Sequence, residues 1–406
     1  MALTRTCYDC GASTAEPRAR CECGEPLWLA SDVPSDLAWT DLPDRPGLWR
    51  YDPLLPVSMP DTGLAAAAGG TPLLRDAALD RFAGSRVHLK VEGQQPTGSF
   101  KDRGSAVALA ALDAGLVEAP DSDDGSPTAV GTVSHGNMAM STAAFAAAHG
   151  RDCVVLVPDD VPAARLGVIA QFDPTVLRVR GDYGRLYERS LEVGRDHGVY
   201  FVNSDSPLRV EGQKTTALEL CEAFAPSVPD AVVLPVSSGG HASGVWKVLR
   251  ELRTVGLLDE IPPVYLVQAA TCAPITEAFA AGADRVTPVD GGETVAYSIA
   301  NADPPSGTRA LRAARATGGA VLAVDDDAIC EAQRVLATAA GVSVEAAGAV
   351  GLAGARALVG HGELAPDDDV AVVATGTGLT EAGADASAPA VELSALEERL
   401  DAFAAR

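Results

Sequence analysis

From about residue 71 to residue 380 the chain alternates between two hydrophobic rhythms, and this constrains its fold more than any other feature. Short runs of strand type stand at 87–91, 128–133, 153–157, 176–179, 200–202, 231–236, 264–267, 320–324 and 370–374. Segments of helical period fall between them, at 101–114, 137–149, 161–171, 183–196, 210–224, 241–254, 273–281, 308–316, 326–340 and 346–359. Such alternation predicts an α/β fold with doubly wound, mostly parallel sheets in two subdomains. A ligand is then expected outside the carboxyl ends of the strands, at a switch point or between the subdomains.

Four of the strand-to-helix turns carry chemistry. The first is Pro96-Thr97-Gly98-Ser99-Phe100-Lys101-Asp102-Arg103-Gly104, which runs into an alanine-rich helix. The chain has only four lysines (Lys90, Lys101, Lys214 and Lys247), and Lys101 stands at this helix start. Free backbone N–H groups and the positive end of the helix dipole disfavour an ammonium ion there, which makes the amine a better nucleophile. Read alone, the nonapeptide also fits a surface lysine just inside a helix. The second turn, Thr132 to Asn137, offers backbone N–H groups to a carboxylate and the Asn137 amide to a hydroxyl, or is a plain capping turn. In the third, Pro235-Val236-Ser237-Ser238-Gly239-Gly240-His241, small residues at a helix start let the backbone close on a phosphate. It has neither the dinucleotide nor the Walker spacing. The fourth, Ala374 to Leu379, ends the last strand and places the Thr375 hydroxyl. An amine, an amide, a phosphate cradle and a hydroxyl are the set that pyridoxal phosphate requires.

Charge narrows the partners. The net charge is −24 and the isoelectric point about 4.5, which excludes a nucleic-acid backbone as the natural partner. Low lysine with Asp clusters such as 121–124 and 367–369 fits a high-salt cytoplasm, that is, a halophilic protein, or a GC-rich genome. No run approaches the ~18 apolar residues of a membrane span, and no signal-peptide pattern opens the chain. A soluble, cytoplasmic protein is expected.

Cys7, Cys10, Cys21 and Cys23 pair as C-x2-C and C-x-C, each pair followed by a glycine. Four thiolates with no open position imply structural zinc, with reduced loop thiols as the alternative. The expected organisation is a zinc-ribbon-like module at 1–26 and a Pro- and aromatic-rich wrapping segment at 27–70. A catalytic region at 71–380 follows, with a smaller subdomain inserted at about 100–200, and then a tail at 381–406.

Over residues 68–380 the chain resembles the threonine synthases, within the tryptophan-synthase-β-like, fold-type II pyridoxal-phosphate enzymes. The resemblance rests on Gly70-Thr71-Pro72-Leu73, the segment around Lys101, Ser134 to Asn137, Asn203-Ser204, and Arg209-Val210-Glu211-Gly212-Gln213-Lys214-Thr215. Pro235 to Gly240, Val344-Glu345 and Thr375-Gly376 complete it. It implies that Lys101 carries the cofactor as a Schiff base and acts as acid and base. It implies that Phe100, Asn137, Ser237, Ser238, Gly239, Gly240, His241 and Thr375 bind the cofactor. Ser134, His135, Asn203, Ser204 and Arg209 would bind a small amino-acid substrate, O-phosphohomoserine, in a protein expected to form a homodimer. Departures fall mostly at the substrate: Met138 stands where the family has a phosphate-binding threonine, Ser206 and Thr377 replace other polar residues, and His241 replaces an asparagine. A related lyase or β-replacement enzyme, such as a threonine/serine deaminase or a cysteate-synthase-like paralogue, is the alternative; a non-catalytic binding protein of the same fold is a third.

Overall fold

Three sheets carry the chain. The computed structural model describes residues 3–16, 18–31, 33–35, 37–61, 63–117, 127–159, 161, 163–181, 183–381 and 390–404. The first sheet is small and antiparallel: β1 (Arg5–Cys7), β2 (Ser13–Thr14) and β3 (Leu27–Leu29), in the order β2-β1-β3. β3 carries this sheet through Leu29, three residues beyond residue 26.

The larger fold follows the alternation in the sequence. β4 (Leu73–Arg75) and β5 (Arg86–Val91) flank α1 (Ala77–Ala83), and α2 (Lys101–Asp113) leads away from them. A parallel sheet follows, built of β6 (Ala129–Val133), β7 (Asp152–Pro158), β8 (Thr175–Val179) and β9 (Val199–Phe201), in the order β8-β7-β6-β9. Its connections are α3 (Asn137–Ala148), α4 (Ala163–Ala170) and α5 (Tyr183–Asp196). After α6 (Pro207–Gln213) and α7 (Thr215–Phe224) the chain returns through β10 (Ala231–Pro235), α8 (Gly240–Thr254), β11 (Val264–Ala269), α9 (Pro274–Ala280) and α10 (Gly307–Ala316). β12 (Val321–Val324), α11 (Asp326–Thr338), α12 (Ala346–Gly360), β13 (Asp369–Ala374) and α13 (Leu396–Ala404) finish it. The six-stranded sheet has the order β12-β11-β10-β13-β5-β4, parallel except where β4 meets β5. Both sheets reverse strand order, one between β6 and β9 and one between β10 and β13, which is where an α/β sheet opens a crevice.

The buried runs have cover on both faces. Val233, Val267, Val370 and Val372 pack with Leu79, Leu336 and Leu352 on one side of the larger sheet. Their alternate neighbours Val232, Leu234, Leu266 and Val373 pack with Leu218, Val245, Leu249 and Leu311 on the other. The expected helix at 210–224 is two helices that meet at Lys214, the first opened by Pro207 at its N-terminus. β4 and α1 were not expected: three residues and seven are too few to show a period. Trp49, in the segment before β4, is fully buried beside α2, and its indole donates to Ala65 O at 2.7 Å.

One buried charge cluster fixes the start of α2. Arg103 donates from Nε and Nη2 to Glu92 at 2.8 Å each, and from Nη1 and Nη2 to Glu219 at 2.6 and 2.8 Å. Lys90 Nζ donates to Glu219 Oε2 and to Thr71 O, both at 2.5 Å. Two cations thus meet two carboxylates. Burial works against ionisation of Glu92, but Arg103 prevails and holds that carboxyl down to about 2. The cluster joins β5, the turn after it, α2 and α7. Replacing Arg103 with Met leaves two buried carboxylates facing one lysine, and we predict a loss of about 3–5 kcal/mol in chemical denaturation of the apoprotein. An unchanged midpoint would show that the cluster does not hold the fold.

Candidate active site

Lys101 is the first residue of α2. The other three lysines are ion-paired: Lys90 with Glu219, and Lys214 and Lys247 each with Glu211 and Glu251. Lys101 makes no ion pair among the described residues; its Nζ lies 4.2 Å from the centroid of the Phe100 ring. Burial, then the nearby Arg209 charge, pull its pKa down to about 7, against an opposite pull from Glu345. The sequence reading anticipated a depressed amine and credited the helix end; desolvation and a second cation are the larger causes.

The turn that presents Lys101 is tied to the end of β13. Phe100 N donates to Thr375 O at 3.0 Å, Thr377 N donates to Gly98 O at 2.8 Å, and Ser99 bridges Gly376. Gly98 has φ +87°, and a Cβ there would lie 2.5 Å from the Thr377 methyl, so only glycine fits. Asp102 closes the turn by accepting from both Thr97 N and Thr97 Oγ1 at 2.6 Å. Thr375 is buried at the junction.

The other turns converge on this one. Asn137 opens α3, and its Nδ2 donates to Glu345 Oε2 at 2.8 Å. A Cβ on Gly376 would fall 2.5 Å from Glu345 Oε1 and 3.1 Å from Asn137 Nδ2, so these three residues are in contact. Ser237 and Ser238 are half-buried before α8; Gly239 (φ +86°) and Gly240 are buried, closed off by Ser306 O and Ser204 O. The His241 ring stacks on Phe100 with centroids 4.1 Å apart. Burial pushes His241 down to about 3, so it is neutral; one ring nitrogen is 3.0 Å from Thr216 Oγ1 and the other, Nδ1, is buried with no hydrogen-bond partner among the described residues.

The expected substrate residues lie against the same loops. Ser134 and His135 are half-buried at the end of β6, with His135 stacked on Tyr297. Asn203 is tied on both sides: its Oδ1 accepts from Val133 N at 2.9 Å and its Nδ2 donates to Ser190 Oγ at 3.2 Å. Ser204 packs on Gly240. Arg209 is fully buried and hydrogen-bonds no carboxylate among the described residues. It donates to Val202 O, Lys101 O, Ser105 Oγ and Thr142 Oγ1 at 3.1, 3.2, 3.4 and 2.9 Å. Thr142 in turn donates to the carbonyl of Met138, which is itself buried. Glu345, which the sequence offers only as part of the matching Val344-Glu345 segment and with no site role, is a member of the site. Burial raises its carboxyl to about 7, and the available signal was a lone acid in the apolar run Val342-Ser343-Val344-Glu345-Ala346-Ala347.

These residues fit pyridoxal phosphate. The depressed amine, the orphaned His241 nitrogen and the two glycines at a helix start match an aldehyde and a dianion. The four cysteines fit a metal ion. Their sulfurs all lie within 4.8 Å of one another, with Cys7–Cys23 at 3.6 Å and Cys10–Cys21 at 3.5 Å, close to the ~3.8 Å edge of a tetrahedron with 2.3 Å zinc–sulfur bonds. Gly11 and Gly24 have φ of +74° and +89°, as the trailing glycines required.

Comparison with known proteins agrees. Residues 64–376 match the pyridoxal-phosphate dependent enzyme family. The chain is 34% identical over 389 residues to the threonine synthase of Methanocaldococcus jannaschii, covering 93% of each. It is 33% identical over 381 residues to that of Methanosarcina acetivorans, covering 91% of this chain and 90% of the relative. Among solved structures, maize serine racemase superposes with a TM-score of 0.62 at 22% identity, over 82% of this chain and 92% of that one. The T.th. threonine deaminase superposes with 0.61 at 26% identity, over 78% and 94%. With Lys101 and its four turns in one place, the chain belongs to the pyridoxal-phosphate-dependent enzymes, in the threonine synthase family of lyases.

Proposed function

We propose that this chain is a threonine synthase that converts O-phosphohomoserine and water to threonine and phosphate. The observation that carries the reading is the pairing of Lys101, depressed to about 7 and free of carboxylate partners, with Arg209, whose guanidinium donates to the Lys101 carbonyl at 3.2 Å and also lacks a carboxylate. Two cationic groups with no direct ion pair among the described residues make a site for an anionic substrate. Similarity to threonine synthases over nearly the whole chain supports the same conclusion.

Bound pyridoxal phosphate supplies the electron sink that makes protons near an amino group removable. Lys101 Nζ holds it and, with a pKa near neutrality, takes a proton at one substrate carbon and returns it at another. Ser237, Ser238, Gly239 and Gly240 hold its phosphate at the start of α8, with neutral His241 as a further donor and Phe100 packed beside it. Asn137, fixed in orientation by Glu345, would donate to the ring hydroxyl. Thr375 would be the neutral partner of the ring nitrogen. Ser134 and His135 receive the substrate carboxylate, and Asn203, Ser204 and Arg209 its phosphate. Arg209 acts there chiefly through its charge, since its donors already serve the protein.

One observation favours the second reading, a related lyase or β-replacement enzyme acting on another amino acid. Met138 has no donor for a phosphate, and its buried position on the first turn of α3 leaves that anion one hydroxyl short. On the first reading, cofactor-loaded protein releases phosphate from O-phosphohomoserine with a high KM, and Met138→Thr lowers that KM several-fold, by about one neutral hydrogen bond of ~0.5–1.5 kcal/mol. Ammonia from threonine or serine with no phosphate from O-phosphohomoserine would transfer the assignment to the second reading.

We also propose that Cys7, Cys10, Cys21 and Cys23 hold one structural zinc. Metal analysis should find about one zinc per chain, absent from the Cys7→Ser/Cys10→Ser double variant; full zinc in that variant would refute the site. Eight free thiols fit a reducing, cytoplasmic setting. Three of the four lysines are buried in ion pairs, so the surface cations are nearly all arginines, as fits a halophilic protein. Leu393, Leu396, Leu400 and Phe403 leave an apolar stripe open at the C-terminal helix, which supports a homodimer.

A further inference from the structure

The cysteine module is built into the rest of the molecule by two routes. One reaches the phosphate cradle. Trp28 Nε1 donates to Ser243 Oγ of α8 at 2.8 Å. The buried Arg309 of α10 lies against Tyr8 and Trp28 and donates to Ser306 Oγ at 2.9 Å, and Ser306 N donates to Ser238 O at 2.9 Å. The other route reaches the segment assigned to the substrate anion, and it runs through one side chain.

Arg20 immediately precedes Cys21. Its Nη1 donates to Gly24 O at 2.9 Å, within the second cysteine turn, and its Nη2 donates to Asp205 Oδ2 at 3.1 Å and to Pro305 O at 3.2 Å. That turn is closed by Gly24 N donating to Cys21 O. Asp205 is the residue between Ser204 and the N-cap of α6, the helix that carries Arg209. Its carboxylate is 2% exposed and its other described partner is the Tyr187 hydroxyl. The arginine is one-third exposed, so direct attraction is screened. The buried carboxylate is not: without Arg20 it loses its only direct ion pair among the described residues and keeps only the more distant Arg309 charge, a loss which the segment relieves by moving. A cavity of about 360 Å³ beside the pair, lined in part by Arg18, Tyr200 and Asn203, leaves room for that movement.

We propose that Arg20 is a positioning residue that passes the order of the metal-bound cysteine turn to residues 203–209, so that metal loading of the module sets the affinity for the substrate anion. The proposal rests on the readings given above of the cysteines as a metal site and of Asn203, Ser204 and Arg209 as the anion site.

The test uses full-length protein with cofactor, as wild type, Arg20→Ala and Asp205→Asn, each with and without zinc chelation. Hydrogen exchange over 203–209 reports the positioning without reference to any substrate. Both variants should keep their zinc and the protection of α2 and α8, while exchange over 203–209 quickens by roughly tenfold, the size of one charge-assisted contact. KM for O-phosphohomoserine should rise by a similar factor, with kcat changed by less than about twofold. Chelation should reproduce the faster exchange in wild type and add little to Arg20→Ala. Unchanged exchange in both variants, or chelation that still loosens 203–209 when Arg20 is gone, would overturn the proposal. Faster exchange in a protein that releases no phosphate from O-phosphohomoserine would leave the positioning intact and remove the substrate assignment.

Discussion

Arg103 carries its charge into the interior two residues after Lys101, and Glu92 and Glu219 meet it there with four hydrogen bonds of 2.6–2.8 Å. A guanidinium fork between two carboxylates tolerates little displacement, because each misplaced contact exposes a buried charge. The first turn of α2 is thereby fixed against β5 and α7. The turn ahead of it is fixed separately, by Asp102 and by the bridge to Gly376. Lys101 lies between these two constraints, so its amine is held where the carboxyl ends of both parallel sheets meet.

Charge balance explains why the remaining groups are reactive. The cluster of Lys90, Arg103, Glu92 and Glu219 is neutral, and so is the buried set of Lys214, Lys247, Glu211 and Glu251. Neutral clusters hold helices in place and leave no net field at a distance. Lys101 and Arg209 stand outside both. Burial disfavours both charged forms, and the Arg209 charge adds to the effect on Lys101, which brings Lys101 to about 7 and Arg209 to about 10. On the proposed function, an anion entering the site would relieve that tension, so that binding and proton chemistry would draw on one source.

Much of this was legible along the chain. The strand and helix runs, the four turns at strand ends and the paired cysteines all depend on local spacing, and they stand where the periodicity put them, with ends shifted by a residue or two. What could not be read depends on residues far apart in sequence. Glu345 is 208 residues from Asn137, and Arg20 is 185 from Asp205. No local pattern joins them. The break at Lys214 has no local signature for a related reason: the helix period runs through it, and Lys214 pairs with Glu251, 37 residues on. The depressed amine was anticipated, but its main cause, enclosure beside Arg209, is a property of packing and not of the helix start.

The central claim is that Lys101 is depressed to about 7 because it is enclosed without an ion pair among the described residues, whereas the other three lysines are ion-paired. Four lysines make this directly observable, by carbon-13 labelling of the lysine side chains and NMR titration of the cofactor-free protein. One resonance should titrate near pH 7 and vanish in Lys101→Ala. Four resonances that all titrate above about pH 10 would contradict the account.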